Sequence, residues 1–402
     1  MRGLHSLTLS LALAAAATPG SAQVAPGAVV DTTGNGPVNP TGKPIVNKLK
    51  APDTSGVRAL TGESIRTLQP GVAGGSDGKS SGPTRQAYGA HRIPYTSTRV
   101  QLGSSSYNST VGPNFLGTTT PYRQVGKLRT DQGDCTATLI RRSVIVTAAH
   151  CIQDFGSRSN IGSGFTFVPG YYGPGATAAQ RAPYGEWRWA ALWRPASWAN
   201  GTDTGEGAAR NNDIAVIILR KNSANRFLGD LIGWLGYSWN NYSYVASPLT
   251  GNLRVAAVST LGYPSGIDDG EIMQRSDGPS YLTTESGALL MTQGSNFTTG
   301  ASGGPWIVNF FSVAPVLAEG SVIGTHPNRA VIGVTSFGSG SPDDPNPNPE
   351  KDNYSSRFGQ NKEFPLAAYG RFGAGNIGAA LNSVCNQLVS PGVTYAAAGY
   401  CN

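Results

Sequence analysis

The sequence predicts an all-β fold, an antiparallel barrel or sandwich, with one α-helix close to the C-terminus. Three observations carry this. Glycine (54) and proline (27) are abundant among the 402 residues and only 13% are charged, a balance that favours turns and strands over exposed helices. Short β-branched or apolar runs bounded by Gly, Asn or Pro recur from residue 121 onward without helices between them. Near the end, Ile377, Ala380, Leu381, Val384 and Leu388 follow helical spacing.

Taken in order, the chain opens with Arg2 and an apolar run from Leu7 to Ala17, broken by Pro19-Gly20 and followed by the small pair Ser21-Ala22. Residues 1–22 read as a secretory signal peptide, because the run is too short to cross a hydrocarbon core of about 30 Å. Residues 23–113 are rich in Gly, Pro, Ser and Thr, sustain no period, and are expected to be largely irregular. They carry nine basic against four acidic residues, so most of the net charge of +7 sits here and in Arg2. A basic irregular leader in an exported chain reads as a propeptide, with a surface linker as the alternative. Its end falls near residue 90 or nearer 115.

Residues 114–402 are expected to form the folded domain. They are close to neutral, which gives no reason for nucleic-acid or polybasic membrane binding. A chain of this length holds one β-rich domain of roughly 250 residues plus extras. After Pro121–Leu128, strands are expected at Thr136–Ile140, Ser143–Thr147, Asp213–Leu219, Leu253–Thr260, Pro305–Phe311, Ser321–Thr325 and Ala330–Ser336. The four cysteines fall into two local pairs, Cys135/Cys151 and Cys385/Cys401. In an oxidising compartment these read as two disulfides, each worth about 3 kcal/mol on the chain-entropy model.

Three stretches carry chemistry. In Val146-Thr-Ala-Ala-His-Cys151 an apolar run delivers His150 to its end, and a bridge from Cys151 to Cys135 would stop that imidazole from drifting. In Asn212-Asp-Ile-Ala-Val-Ile-Ile-Leu219 a carboxylate, Asp213, precedes a strongly apolar strand, which suits a buried orienting acid. In Thr298-Thr-Gly-Ala-Ser-Gly-Gly-Pro305 glycines surround Ser302, allowing a tight turn that aims amide N–H groups at one point.

Thr147-Ala-Ala-His-Cys151, Asn212-Asp-Ile-Ala215 and Gly300-Ala-Ser-Gly-Gly-Pro305 resemble the three motifs of the trypsin-like serine peptidases, in the family's order. The resemblance implies two antiparallel β-barrels with a C-terminal helix. It implies Ser302 as nucleophile, His150 as base, Asp213 as the acid that fixes its tautomer, and the N–H groups of Gly300 and Ser302 as oxyanion hole. Thr335-Ser-Phe-Gly338 resembles the family's Ser-Trp-Gly segment: Ser336 is expected to hold Asp213, Phe337 to wall the specificity pocket, and Gly338 to complete the strand that pairs with substrate. Gly300-x-Ser302-x-Gly304 also fits the nucleophile elbow of α/β-hydrolases. That reading needs a later acid and histidine, and only Glu319 and His326 are on offer, crowded and without βα alternation.

The departures concern activation and specificity. Ala301 stands where trypsin has the aspartate that pairs with a newly cut N-terminus, and residues 114–128 lack an Ile-Val-Gly-Gly start. The chain looks like the secreted bacterial branch related to glutamyl endopeptidases. By spacing from Ser302, Asn296 is the base of the pocket, where an aspartate would select Lys or Arg. Glutamate-selective relatives carry a histidine where Thr335 stands. Asp352 would reach the pocket floor if Asn353-Tyr354 aligned with the strand that closes it. The acidic, Pro-rich insertion at 341–350 reads as a solvated loop, with Ca²⁺ binding as the alternative.

The expectation is a secreted serine endopeptidase that acts on peptide or protein substrates as a monomer. It would need no metal or cofactor and bind no nucleic acid or, after signal removal, membrane. The alternative is an exported pseudoenzyme that uses the same fold for adhesion or peptide binding.

Overall fold

A computed structural model describes residues 89, 93–100, 117, 119–131, 133–157, 161–175, 177–203, 211–246, 253–285, 288–310, 329–338 and 351–402. The signal peptide at 1–22, most of the leader, His91, Glu319, His326, the strand expected at Ser321–Thr325 and the insertion at 341–350 lie outside these residues.

Six strands close the first barrel: β2 (Val125–Thr130), β3 (Gly133–Arg141), β4 (Val144–Thr147), β5 (Thr166–Pro169), β6 (Trp187–Trp193) and β7 (Ala215–Leu219), ordered β2-β3-β4-β7-β6-β5. Another six form the second ring: β9 (Arg254–Gly262), β10 (Gln274–Glu285), β11 (Ala288–Gly294), β12 (Pro305–Val308), β13 (Ala330–Gly338) and β14 (Asp352–Arg357). That ring runs β10-β11-β14-β13-β12-β9 and closes through β9–β10, with β1 (Thr96–Arg99) and β8 (Val245–Ala246) added at its edges. Every strand pair in both rings is antiparallel.

The continuous apolar run of β7 is explained by burial on both faces. Ala215, Ile217 and Leu219 join a cluster confined to first-barrel residues, with Leu139, Ile145 and Phe167. Ile214, Val216 and Ile218 join a cluster that takes in Leu261, Ile307 and Val331 of the second barrel and Ile377, Leu381 and Val384 of the C-terminal helix. That helix spans Gly375–Cys385, and its last residue is bridged to Cys401. The two barrels and the helix are therefore welded by one core.

Strand β10 was not foreseen because Gly278-Pro279 interrupts its twelve residues. The Pro tolerates this position because β9 is its only ladder partner there, opposite Ala257. Within the stretch expected to be irregular, β1 pairs with Gln274–Asp277 of β10.

Candidate active site

Strand β4 is fully buried and runs through Ala148 into a 3₁₀ turn, Ala149–Cys151, that carries His150. The Cys135–Cys151 disulfide ties this turn back to β3, with Cα atoms 6.2 Å apart. The Thr147↔Ala215 pairing of β4 with β7 sets Asp213 beside the turn. Its carboxylate is 2% exposed and accepts three hydrogen bonds. The His150 backbone N–H donates to Oδ1 at 2.9 Å, and His150 Nδ1–H and the Ser336 hydroxyl donate to Oδ2 at 2.7 and 2.6 Å. An ionised carboxylate only accepts, so Nδ1 carries the proton and Nε2 is left as the basic nitrogen.

The electrostatics follow from these contacts. Burial opposes the charged form of His150, but the charge and hydrogen bond of Asp213, with help from Asp154, outweigh it and hold the imidazole pKa above its ordinary value. Burial likewise opposes ionisation of Asp213. The His150 charge, the ring and backbone donors of His150 and the Ser336 hydroxyl reverse that and keep the carboxyl below its usual range. Asp213 is rooted from behind, where its N–H donates to Ser356 Oγ at 3.1 Å. The neighbouring Asn212 side chain accepts from Asn361 and Asn376 and donates to Glu363.

Ser302 sits in a turn shaped by Gly300 (φ +88°) and Gly303 (φ +79°). A Cβ on Gly303 would collide with Thr147 Oγ1 and come 2.9 Å from Ala148 N, so glycine alone lets this turn close on the end of β4. The Ser302 carbonyl accepts from Thr136 N, and Gly303 N and Gly304 O pair with Thr335 O and N, all at 2.8 Å. Thr136 adjoins Cys135, which is bridged to the turn of His150, and Thr335 adjoins Ser336, which bonds Asp213. His150 and Asp213 are thus in direct contact, whereas Ser302 is tied only to the neighbours of that pair, and among the described residues no hydrogen bond joins its hydroxyl to His150 Nε2. Among the described residues, no acceptor is bonded to the N–H of Gly300 or Ser302, whereas Ala301 N donates to Thr298 O at 3.2 Å.

Phe337 stacks on Tyr354 with ring centroids 4.5 Å apart, and β13 pairs with β14 through Phe337↔Tyr354 and Gly338↔Asn353. Asn353-Tyr354 thus lies on the strand next to Phe337-Gly338. The floor assignment takes a different form, however. Asp352 is buried, receives the Tyr281 hydroxyl at 3.3 Å and lies against Gly89. Burial and then the Asp352 charge push Tyr95 up to about 12. Asn353 donates from Nδ2 to Phe297 O at 3.1 Å and lies beside Gly338. Asn296 accepts from Ser97 of β1 at 2.6 Å through its side-chain oxygen. Ser97 and Thr136 carry no signal in the sequence because short polar residues in strands form no motif; the pairing partners identify them only once the barrels are closed. The ligating atoms of Cys135, His150 and Cys151 lie within 4.8 Å of one another, but both sulfurs are joined in the disulfide and cannot hold a metal.

The profile of the family described as Trypsin matches residues 114–350. A glutamyl endopeptidase of Bacillus licheniformis is 30% identical over 163 residues, 40% of this chain and 42% of that relative, so the chain spans under half of its length. Among solved structures, the protease Anisep from Arthrobacter nicotinovorans is similar at 22% identity and a TM-score of 0.43, over 60% of this chain and 93% of that one. A Glu endopeptidase is similar at 16% identity and a TM-score of 0.42, over 65% and 91% of the two chains.

Proposed function

The chain belongs to the trypsin family, and from that membership we propose that it is a secreted serine endopeptidase that hydrolyses peptide bonds through an acyl-enzyme. Ser302 Oγ attacks the scissile carbonyl while His150 Nε2 takes its proton, and the resulting imidazolium is stabilised by Asp213. The tetrahedral oxyanion is received by the N–H groups of Gly300 and Ser302. His150 then protonates the departing amine, leaving Ser302 acylated, and a water activated by the same imidazole releases the acid. The observation that carries this reading is the hydrogen-bonded line from Ser336 through Asp213 to His150 Nδ1, which leaves Nε2 as the base.

Residues 1–22 serve as export signal and the 23–113 segment supplies a leader ahead of the peptidase domain at 114–402. The pairing of β1 with β10 supports a folded domain that starts near residue 90 and not nearer 115. Two disulfides fit an oxidising destination. The substrate is a peptide or protein laid against Ser336–Gly338 as an added strand, with its side chain entering between the walls that Asn296, Phe337 and Asn353 mark. The glutamate preference in the Bacillus relative's name is not carried over, because Thr335 replaces the histidine of glutamate-selective members and Asn353 brings no positive charge.

The test is to incubate the purified protein and its Ser302→Ala form with a mixed peptide library and read the products by mass spectrometry. Serine-dependent cuts are expected, and they also report the preferred residue. Equal absence of cleavage would leave the non-catalytic binding role in its place.

A further inference from the structure

We propose that Thr136 is a positioning residue that holds the oxyanion turn in its working shape, in place of the ion pair that Ala301 rules out. The inference rests on the peptidase reading above.

Three consecutive peptide planes form the turn, and each plane is rigid, so fixing its carbonyl also fixes its N–H. The plane that ends in Gly300 N–H is held by Ser265 N, which donates to Thr299 O at 2.7 Å. The plane that ends in Ser302 N–H is held by Gly304 N, which donates to Ala301 O at 2.9 Å. Between them, the Gly300–Ala301 plane sets the angle at which the two N–H groups converge. Its carbonyl accepts from Thr136 Oγ1 at 2.8 Å.

The hydroxyl of Thr136 is itself oriented. It is fully buried and accepts from Tyr263 N at 3.0 Å, so its single proton is committed to Gly300 O. The Thr136 backbone joins the same scaffold, donating to Ser302 O and accepting from Thr147 Oγ1 at 2.9 Å. One residue of the first barrel therefore grips both ends of a turn that belongs to the second. Among the described residues no carboxylate is bonded to the turn, and Ala301 is fully buried, with its methyl 3.0 Å from where a Cβ on Gly262 would lie. The turn is thus built by folding and does not wait for a freed N-terminus.

The test compares Thr136→Val, Thr136→Ala and Thr136→Ser with the unmodified protein, on a peptide substrate taken from the library. Valine keeps the shape but removes both the donor to Gly300 O and the acceptor for Tyr263 N. The expected result is a fall in kcat of about tenfold to a hundredfold, below the loss for deleting an oxyanion donor outright, with KM within about twofold. A peptide boronic acid, whose adduct places a negative oxygen in the hole, should weaken by the same factor, while the product peptide binds as before. Thr136→Ser should recover most of the loss, and Thr136→Ala supplies the comparison if valine prevents folding. Unchanged kcat in valine and alanine forms, or a loss shared equally by product binding, would overturn the inference alone. An unmodified protein that neither cuts peptides nor reacts with a fluorophosphonate would remove the peptidase reading and this inference with it.

Discussion

At the scale of the residue, His150 and Asp213 hold each other's charge, and this couples activity to stability in opposite directions. Asp213 has a depressed pKa, so its contribution to stability is present above the unfolded carboxylate value of about 4 and is lost as pH falls through the folded one. His150 has a raised pKa, so its contribution is complete below the unfolded value of about 6.5 and is lost as pH rises through the folded one. The pair therefore stabilises most between those unfolded values. The proposed mechanism needs neutral His150, so kcat/KM is predicted to rise with pH with a midpoint above about 6.5, as the pair's stabilisation is released. A pH profile of kcat/KM beside melting curves of the Ser302→Ala form checks both signs. Asp213→Asn should lower kcat about 10⁴-fold, because the amide favours the wrong tautomer. Ser336→Ala removes a 2.6 Å donor to Oδ2, which should raise the Asp213 pKa and move acid unfolding to higher pH.

At the scale of the element, the motifs of the candidate site are legible in the sequence and the strands that connect them are less so. His150, Asp213 and Ser302 announce themselves through small residues, a buried apolar strand and glycines whose positive φ the turn demands. Strand β7 could be read from composition because both its faces are buried. β10 and β14 could not, since one contains Gly278-Pro279 and the other is the polar run Asp352–Arg357, and only cross-strand partners make them strands. The helix was placed by its spacing, but Leu388 belongs instead to a short hairpin, β15 (Leu388–Ser390) with β16 (Val393–Thr394), and is exposed. That hairpin lies inside the loop closed by Cys385–Cys401, sixteen residues apart. Replacing both cysteines by serine should lower unfolding stability by about 2–4 kcal/mol, measured by denaturant titration. The active-site disulfide remains, so hydrolysis at 25 °C should be retained.

At the scale of the whole molecule, the two barrels are joined by more than the shared core. Lys127 of β2 is buried and bonds Asp134 of β3 at 2.9 Å and Glu271, which precedes β10, at 2.8 Å. Tyr171 donates to the other Glu271 oxygen at 2.5 Å. No sequence signal marks this tie, because its members are 144 residues apart and belong to different barrels. Glu271→Ala leaves a buried ammonium with Asp134 as its one carboxylate partner, beside the Tyr171 ring, and should destabilise the protein by about 1–2 kcal/mol, a figure reduced for the partial exposure of the carboxylate. Thermal melts in low and high salt check this, with the larger loss expected in low salt. The architecture was foreseeable only in class from strand patterning; the two closed rings came with the family resemblance, whose motif order the fold satisfies. The central claim is that Ser302 is an activated nucleophile, and the most direct measurement is the intact mass after treatment with a fluorophosphonate, followed by peptide mapping. A single adduct on Ser302, absent from Ser302→Ala and slowed strongly in His150→Ala, is the predicted result; an unlabelled protein, or labelling independent of His150, would contradict it.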